Sequence, residues 1–242
     1  MAKQTGKNAI ILIGGYALST YASAYSVEQQ ITPVDVTGFT DESRNYLPGL
    51  ATAKMSTDMM WSTSAGTVHA ALGAAAGSGI VTLAPEGYTL GAPSLSMPYL
   101  QTTYTPKSAP DARIDVGTID FESYGNNAGV ENGVMLAHGT VANTTTGTGV
   151  DDPTGAAVTA SCAAALHIWT ACAADTYVVK VQHSANNSTW ADLMTFSADG
   201  SVITSERRAV ASGTINRYRR VLATRTGAAA NPFGFSVHFY HS

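Results

Sequence analysis

The feature that most constrains the fold is a pair of strand-like segments between Val27 and Trp61, separated by a long loop. In the return segment, from Lys54 to Met59, polar residues alternate with methionine and threonine. A period of two is typical of a strand that buries one face. The stretch Gly38–Gly49 between the segments is longer than a tight hairpin turn. We therefore predict two strands joined by an extended loop.

The loop carries large apolar side chains, namely those of Phe39, Tyr46, Leu47 and Leu50. A loop that is only solvated has no need of such side chains, and exposed apolar groups often mark interaction sites. The loop is therefore expected to contact a partner.

Composition favours a chain that buries part of its surface against other subunits. Only 12% of the 242 residues are charged, whereas a usual share is about 25%. A soluble monomer normally covers itself with charged side chains, although a secreted β protein can also be poor in charge. No apolar run reaches the roughly 18 to 20 residues of a membrane-spanning helix, so no membrane association is expected.

The charge is distributed unevenly along the chain. Residues 1–152 contain 13 Asp/Glu and 6 Lys/Arg, whereas residues 153–242 contain 4 and 7. Parts of opposite sign within one chain are suited to head-to-tail or side-by-side self-association. Independent drift of the two surfaces explains the asymmetry equally well.

The remaining pattern predicts a mainly β fold, a β-sandwich or barrel with one short helix. Ser64 is placed to cap that helix, which would end at Gly73. The Gly- and Thr-rich stretch 143–155 reads as a linker between an N-terminal domain, residues 1–142, and a C-terminal β-sandwich part, residues 156–242. Segments 64–86 and 184–206 share a weak pattern, so the second part could be another copy of the same fold.

Motifs that would indicate catalysis or a cofactor are not found. The six histidines are scattered without metal-ligand spacing, and no nucleotide-binding or nucleophile motif is present. Asp115, Asp120 and Glu122 could act as paired carboxylates, but nothing in the sequence brings them around a cleft. Cys162 and Cys172 are expected to be buried free thiols, with a disulfide between neighbouring strands as the alternative. We expect neither enzymatic activity nor a cofactor.

A group of arginines near the C-terminus provides six of the chain's 13 basic residues. The group consists of Arg207, Arg208, Arg217, Arg219, Arg220 and Arg225. A nucleic-acid site would place them on one face among aromatic rings, but Arg219 and Arg220 project from opposite faces of one predicted strand. A subunit contact with the acidic first part is favoured, and phosphate binding is the alternative.

Several stretches resemble one protein family. GYALSTYASAYSVEQQITPVDVTGF, beginning at Gly15, and YLPGL, at Tyr46–Leu50, are similar to the N-terminal signature of tail tube (major tail) proteins of long-tailed, non-contractile bacteriophages. VVKVQHSANNSTWADLMTFS, INRYRRV and FGFSVHFY resemble the C-terminal half of the same proteins. The spacing from Ser184 to Trp190, followed by RYRRV, also resembles discoidin-like carbohydrate-binding sandwiches.

The family resemblance implies a structural virion protein that assembles with itself. Its copies would close into hexameric rings, or into trimeric pseudo-hexameric rings if the halves are duplicated. The rings would stack into the tail tube, through which DNA passes during ejection without specific binding. The implied partners are the tape measure, terminator and tip proteins of the tail, and the implied location is the virion tail, with assembly in the host cytoplasm.

The resemblance also implies roles for particular residues. The inter-subunit loop would contain Phe39, Asp41, Arg44, Tyr46, Leu47, Pro48 and Leu50. Asp115, Asp120 and Glu122 are candidates for an acidic lining of the lumen, although solvated carboxylates on an outer face would look the same.

A second hypothesis comes from the discoidin-like pattern. It describes a virion decoration or adhesion protein whose C-terminal β-sandwich binds carbohydrate. Trp190 and Tyr218 would then be stacking platforms for sugar rings. Packing in the core is the alternative role of both side chains.

Overall fold

The computed structural model describes residues 8–73, 77–108, 114–125, 129–152 and 157–241, and within them it contains sixteen strands and one short α-helix. The strands are β1 (Ile10–Ile13), β2 (Tyr16–Ala17), β3 (Ala22–Asp35), β4 (Tyr46–Met60), β5 (Ser78–Ala84), β6 (Pro93–Thr103), β7 (Asp115–Ser123), β8 (Glu131–Val141), β9 (Thr145–Thr146), β10 (Val150–Asp151), β11 (Val158–Thr170), β12 (Thr176–Ser184), β13 (Ala191–Thr195), β14 (Thr204–Ile215), β15 (Tyr218–Thr226) and β16 (Phe233–His241). The prediction of a mainly β chain is confirmed.

Contact density divides the chain into two units that differ from the predicted domains. The sandwich unit comprises residues 1–20, 79–96 and 131–242, and the hairpin unit comprises residues 21–78 and 97–130. The difference from a boundary at residues 143–155 has a physical cause, because β16 pairs with β8 on one side and with β11 on the other. Strands from both sides of the predicted boundary therefore share one sheet.

The predicted linker contributes to a sheet rather than joining two domains. Residues 145–146 form β9 and residues 150–151 form β10, and both strands pair with β15. Residues 153–155 of the predicted linker lie outside the described residues.

The sandwich unit packs two sheets face to face. One contains, in order, β14, β11, β16, β8, the first half of β6, β5, β1 and β2, and the other contains β10, β15, β12 and β13, with β9 also paired to β15. Alternate residues of facing strands fill the space between them, for example Leu166 of β11, Val179 of β12 and Val237 of β16. Tyr177 and Phe233 stack with their ring centroids 4.3 Å apart. Burial of this apolar surface is the main stabilising contribution to such a sandwich.

The first sheet curls so that its two ends approach each other. The backbone amide of Ile80 donates to Ser205 Oγ at 3.1 Å. Gly15 has a φ of +97°, and a Cβ at this position would lie 2.5 Å from Thr204 O, so only glycine fits there. The curled sheet encloses a second, partly polar interior in which His167 and His238 are buried.

Hydroxyl groups accompany the two buried histidines. His167 Nε2 lies 2.8 Å from Thr82 Oγ1, which is itself 3.0 Å from Ser96 Oγ. His238 Nδ1 lies 2.6 Å from Ser94 Oγ. Because burial disfavours the charged form, the pKa of each imidazole is lowered to about 3, and both rings are neutral at neutral pH.

The hairpin unit is built on β3 and β4, with β7 paired to β4 and the second half of β6 paired to β7. One face of its sheet is buried, as the alternation in the sequence predicts, and Met55, Met59 and Phe121 lie on that face. Lys54 and Ser56 project from the other face and are partly exposed.

The helix of the hairpin unit is shorter than predicted. It spans Val68–Leu72, and its N-cap is Thr67 rather than Ser64. The carbonyl of Ser64 instead accepts a bond from Thr67 Oγ1 at 2.6 Å, so the preceding residues form a turn. Gly73 ends the helix, as predicted. No helix in the described part of the chain is long and apolar enough to cross a membrane.

The two segments with similar sequence patterns fold differently. Residues 64–86 contain the helix, whereas residues 184–206 contain β13 at Ala191–Thr195. Cys162 and Cys172 both belong to the core between the two sheets of the sandwich unit, and both are buried as free thiols, as expected.

Candidate functional site

The ribbon formed by the outer parts of β3 and β4 is exposed on both faces. Every residue of β3 from Ile31 onwards is exposed, and in Tyr46–Leu50 only Gly49 is partly covered. Val34 pairs with Leu47, and both side chains are about half exposed. A two-stranded ribbon is at best marginally stable alone in water. This ribbon therefore presents apolar side chains that nothing in the hairpin unit covers.

The end of the ribbon, residues 36–50, is called the hairpin end. It contains all the residues predicted for the inter-subunit loop, and each is exposed: Phe39, Asp41, Arg44, Tyr46, Leu47, Pro48 and Leu50. Phe39 is fully exposed, and Leu50 retains 85% of its accessible surface. Tyr46–Leu50, predicted as loop, belongs to β4, so the loop itself is shorter than expected. Contact of these residues with another copy stays a prediction.

The loop is held in shape by its own polar groups. Asp41 Oδ2 accepts bonds from the Gly38 amide at 2.7 Å and from Asn45 Nδ2 at 2.9 Å. The Asn45 amide donates to Thr37 Oγ1 at 3.0 Å. The bonds from Gly38 and Asn45 stabilise the carboxylate and lower the pKa of Asp41. The apolar groups at the tip are thus presented on a defined loop.

An Asp41→Ala variant tests whether this carboxylate orders the loop. Without its acceptor, the Gly38 amide is expected to exchange with solvent several-fold faster, because it is no longer held in a hydrogen bond. The free energy of unfolding should hardly change, because the site is exposed. Hydrogen exchange measured by NMR checks both. Glu42→Ala, at the neighbouring carboxylate, is the control, and equal acceleration in the two variants would contradict the assignment.

The outward face of β3, β4 and β7 carries most of the acidic residues of the hairpin unit. Cross-strand pairing aligns Glu28, Lys54 and Glu122 in one row, and these three side chains line a concavity of about 340 Å³. Asp120, in the next row, lies 3.1 Å from Lys54 Nζ and accepts a bond from Ser56 Oγ at 2.7 Å. Burial opposes ionisation of Asp120, but Ser56 and Lys54 outweigh it and lower the pKa of that carboxyl.

A bulge brings the third predicted carboxylate onto the same face. Asp115 is an odd number of residues from Asp120, so regular alternation would place the two on opposite faces. The β4–β7 register shifts by one residue between Met59 and Met60, next to Gly117, whose φ is +66°. Asp115 consequently pairs with Met60 on the outward face.

The structure thus brings the three predicted acidic residues together and adds two that the sequence reading missed. The additional residues are Glu28 of β3 and Asp58 of β4, the latter accepting a bond from Thr118 Oγ1 at 2.6 Å. The outward position of Asp58 followed from the alternation along β4, but the pairing that aligns Glu28 and Asp58 with β7 was not visible in the sequence. We call the five carboxylates the acidic face; a role in lining a lumen stays a prediction.

Ion pairs within the sandwich unit involve five of the six C-terminal arginines. The pairs are Arg207 with Glu131, Arg208 with Glu206, Arg217 with Asp151, Arg219 with Asp152 and Arg225 with Asp175. Their charges are therefore largely compensated inside one unit. The predicted role of this group as a subunit contact stays a prediction.

The two predicted stacking platforms each have a guanidinium group over one face. Arg220 lies 4.1 Å from the ring centroid of Trp190 and donates to Gln182 Oε1 at 3.0 Å. Arg217 lies 5.0 Å from the ring centroid of Tyr218. Each ring can offer a ligand only its other face, so these contacts do not favour carbohydrate stacking.

A second concave surface, the aromatic pocket, lies in the sandwich unit. It has a volume of about 250 Å³ and is mostly apolar, with Leu90, Val141, Val221 and Phe235 among its lining residues. The lining also includes Thr145 and Thr148 of the segment around β9, and both are exposed.

Stacked rings form one wall of the aromatic pocket. The ring of His138 lies 3.4 Å from that of Tyr88 and 4.5 Å from that of Trp169, measured between centroids. Ser236 Oγ is 2.7 Å from His138 Nδ1, which fixes the imidazole in the stack. Burial lowers the pKa of His138 to about 4, so the wall is uncharged at neutral pH. Among the described residues, no group of three or more His, Cys, Asp or Glu side chains is placed to hold a metal ion.

Comparison with known proteins gives matches among solved structures. No protein-family model matches the sequence, and no curated protein has significant similarity to it. The chain is similar to one from the tail of an empty gene transfer agent particle with C6 symmetry, at 14% identity and a TM-score of 0.41, over 53% of this chain and 97% of that one. A chain from the virion of a native gene transfer agent particle has the same identity and TM-score, over 54% and 98%. The Dit protein of phage SPP1, described as a hub adsorption apparatus, is 10% identical with a TM-score of 0.33, over 97% and 99%.

Proposed function

We propose that this chain is the structural subunit of a phage tail tube, and that its copies close into rings that stack around a channel for DNA. The observation that carries the proposal is the exposed hairpin end, a preformed loop with apolar side chains that have no cover within their own unit. Monomeric proteins seldom expose a contiguous apolar patch of this kind without a partner. A second copy of the chain is a partner that is present in any solution of the purified protein.

The free edge of β3 supports the same proposal. Within the described residues, β3 pairs only with β4, so one side of a 14-residue strand offers unpaired backbone groups. Native proteins usually block such edges, and an unblocked edge is a site for adding a strand from another chain. Continuing the hairpin sheet with strands of neighbouring copies would satisfy these groups.

Charge favours contacts between unlike surfaces of successive copies. The residues of the hairpin unit include nine Asp/Glu and four Lys/Arg, whereas those of the sandwich unit include eight and nine. Two hairpin units would repel each other, while a hairpin unit and a sandwich unit would not. Such head-to-tail contacts generate rings or open filaments. Six copies per ring are proposed in place of three duplicated ones, because the segments that resemble each other in sequence fold differently.

The acidic face is proposed to line the channel. Five carboxylates accompanied by Lys54 would repel DNA phosphates, whereas lysine and arginine would bind them with release of counterions. DNA could then slide during ejection without being held. In this proposal the protein functions in the virion tail, next to tape measure, terminator and tip proteins, after assembly in the host cytoplasm, and it has no enzymatic role.

Assembly of the purified protein tests the proposal. We expect stacked rings with a central channel in negative-stain electron microscopy, and a sedimentation coefficient that rises with protein concentration. The double variant Leu47→Ser/Leu50→Ser should raise the concentration needed for assembly at least 10-fold, because two apolar anchors are lost.

The matched control is Val202→Ser/Ile203→Ser, which removes two exposed apolar side chains from the sandwich unit. This control should assemble like the wild type. A wild-type protein that remains dispersed and monomeric at high concentration would refute the tube proposal.

A further inference from the structure

The geometry points to a specific contact between copies: Phe39 of one copy inserts into the aromatic pocket of a second copy. This inference rests on the proposed self-assembly and deepens it, because it names the residue that docks and the surface that receives it. The contact would be heterologous, since it joins the hairpin end of one molecule to the sandwich unit of the next.

The size of the pocket is suited to a single aromatic side chain. Pockets for drug-sized ligands usually have volumes of about 300–1,000 Å³, and this one is about 250 Å³. An apolar cavity of about 150 Å³ already accommodates benzene. A phenyl ring therefore fits the aromatic pocket.

The lining of the pocket suits an aromatic ring. Val221 and Phe235 offer apolar contacts, and the stack of Tyr88 and His138 offers ring edges and faces for offset packing. The described lining residues include no lysine, arginine, aspartate or glutamate, so an uncharged side chain enters without leaving a charge unpaired.

Phe39 is the side chain in the hairpin end that best matches these requirements. It is fully exposed and lies within the turn closed by the bond from the Asp41 amide to Gly38 O at 3.1 Å. Because the carboxylate of Asp41 holds this turn in place, little conformational freedom is lost on docking.

Charge argues against the symmetric alternative, in which two hairpin ends pack against each other. The hairpin end carries Asp41, Glu42 and Arg44, and Asp35 directly precedes it, so two such ends repel each other. The sandwich unit has one more basic than acidic residue, and its aromatic pocket is uncharged. Contact of the hairpin end with a sandwich unit therefore avoids the repulsion.

Disulfide trapping between two variants tests the contact. Thr40→Cys places a thiol next to Phe39 without removing it, and Thr148→Cys places one at the pocket; both positions are exposed. Mixed under mild oxidation, the two variants should form covalent heterodimers. The native Cys162 and Cys172 are buried and should not interfere.

The matched control replaces the pocket cysteine with Ser212→Cys. Ser212 is exposed on β14, which is separated from β8 by β11 and β16 in the same sheet. Phe39→Ala, added to the Thr40→Cys chain, should reduce the trapped heterodimer at least 10-fold. In a separate assembly assay, Thr148→Trp should reduce assembly at least 10-fold, because the indole would occupy the pocket.

The outcomes separate this inference from the proposed function. Rings that form normally with Phe39→Ala and give no disulfide between positions 40 and 148 would overturn the inference and leave the tube proposal intact. Disulfides between two Thr40→Cys chains would show tip-to-tip packing and would also overturn it. A wild-type protein that never assembles would overturn both.

Discussion

An Asp152→Asn variant is expected to unfold with a free energy about 3–5 kcal/mol lower than the wild type, the usual cost of breaking a buried ion pair. The side chains of Asp152 and Arg219 are each only 3% exposed, and they pair directly. The same carboxylate lies 2.9 Å from His241 Nε2. Loss of its charge leaves the Arg219 guanidinium buried without compensation.

The surroundings of Arg219 make this cost hard to avoid. Its Nε and Nη1 atoms have no hydrogen-bond partner among the described residues, so no other acceptor is in place to substitute for Asp152. The guanidinium lies 5.2 Å from the ring centroid of Phe239, in a mostly apolar environment. Removing both charges is therefore better tolerated than removing one, and Asp152→Leu/Arg219→Met should recover most of the lost stability.

The adjacent ion pair supplies the control for this prediction. Asp151 pairs with Arg217 at 2.6 Å, but its side chain is 48% exposed. Asp151→Asn should therefore cost only a small fraction of what Asp152→Asn costs. Urea unfolding of the four proteins, followed by circular dichroism, measures the difference. Equal costs for the substitutions at positions 151 and 152 would show that burial does not decide the strength of these pairs.

Acid is expected to destabilise the sandwich unit through His167 and His238. An unfolded histidine has a pKa of about 6.5, whereas both pKa values are about 3 in the folded chain because the rings are buried. Between these values the unfolded state binds more protons, so stability falls as the pH is lowered. The stability that depends on the two rings being neutral is fully present above pH 6.5 and is lost progressively towards pH 3.

The expected loss is large at moderately acidic pH. At pH 5 each of the two buried histidines should cost about 2 kcal/mol of stability relative to neutral pH. Hydroxyl groups of Thr82 and Ser94 face the two rings and cannot neutralise an added proton. Carboxylates with lowered pKa values act at more acidic pH, so the range from pH 7 to 5 isolates the histidines. The pKa of His138 is also lowered by burial, to about 4, so this ring adds a comparable contribution over the same pH range.

Single substitutions separate proton binding from packing. His167→Gln and His238→Gln should each reduce the number of protons taken up on unfolding near pH 5 by about one, seen as a shallower dependence of the unfolding free energy on pH. Ser94→Ala, which removes a bond to His238 but no titrating group, should lower stability at pH 7 and pH 5 alike. A dependence on pH that is undiminished in both histidine variants would exclude the buried pair as its source.

The parts of the fold that follow from local pattern were predictable. Alternation from Lys54 to Met59 correctly identified the buried and outward faces of β4, because a strand has a fixed period of two. The exposed apolar loop around Phe39 was predictable because a loop that is only solvated does not need large apolar side chains.

The parts that depend on pairing over long sequence distances were not predictable. The stretch 143–155 has the composition of a linker, yet part of it forms short strands because the edge of β15 is available. Asp115 joins the acidic face through a bulge that regular alternation does not anticipate. Most of the arginines find carboxylate partners in distant segments of the chain, and a strand sequence contains no information about the charge that will face it.

The position of β16 sets the order in which the chain can complete its fold. Phe233–His241, the last strand in the sequence, lies between β11 and β8 in the middle of the first sheet. Residues 21–130 of the chain, which include the whole hairpin unit, emerge from the ribosome much earlier. Until β16 has been synthesised, β8 and β11 each lack a neighbour, so the unit that offers the aromatic pocket exists only in chains that include β16. Chains truncated before β16 are thereby kept out of any assembly that requires this unit.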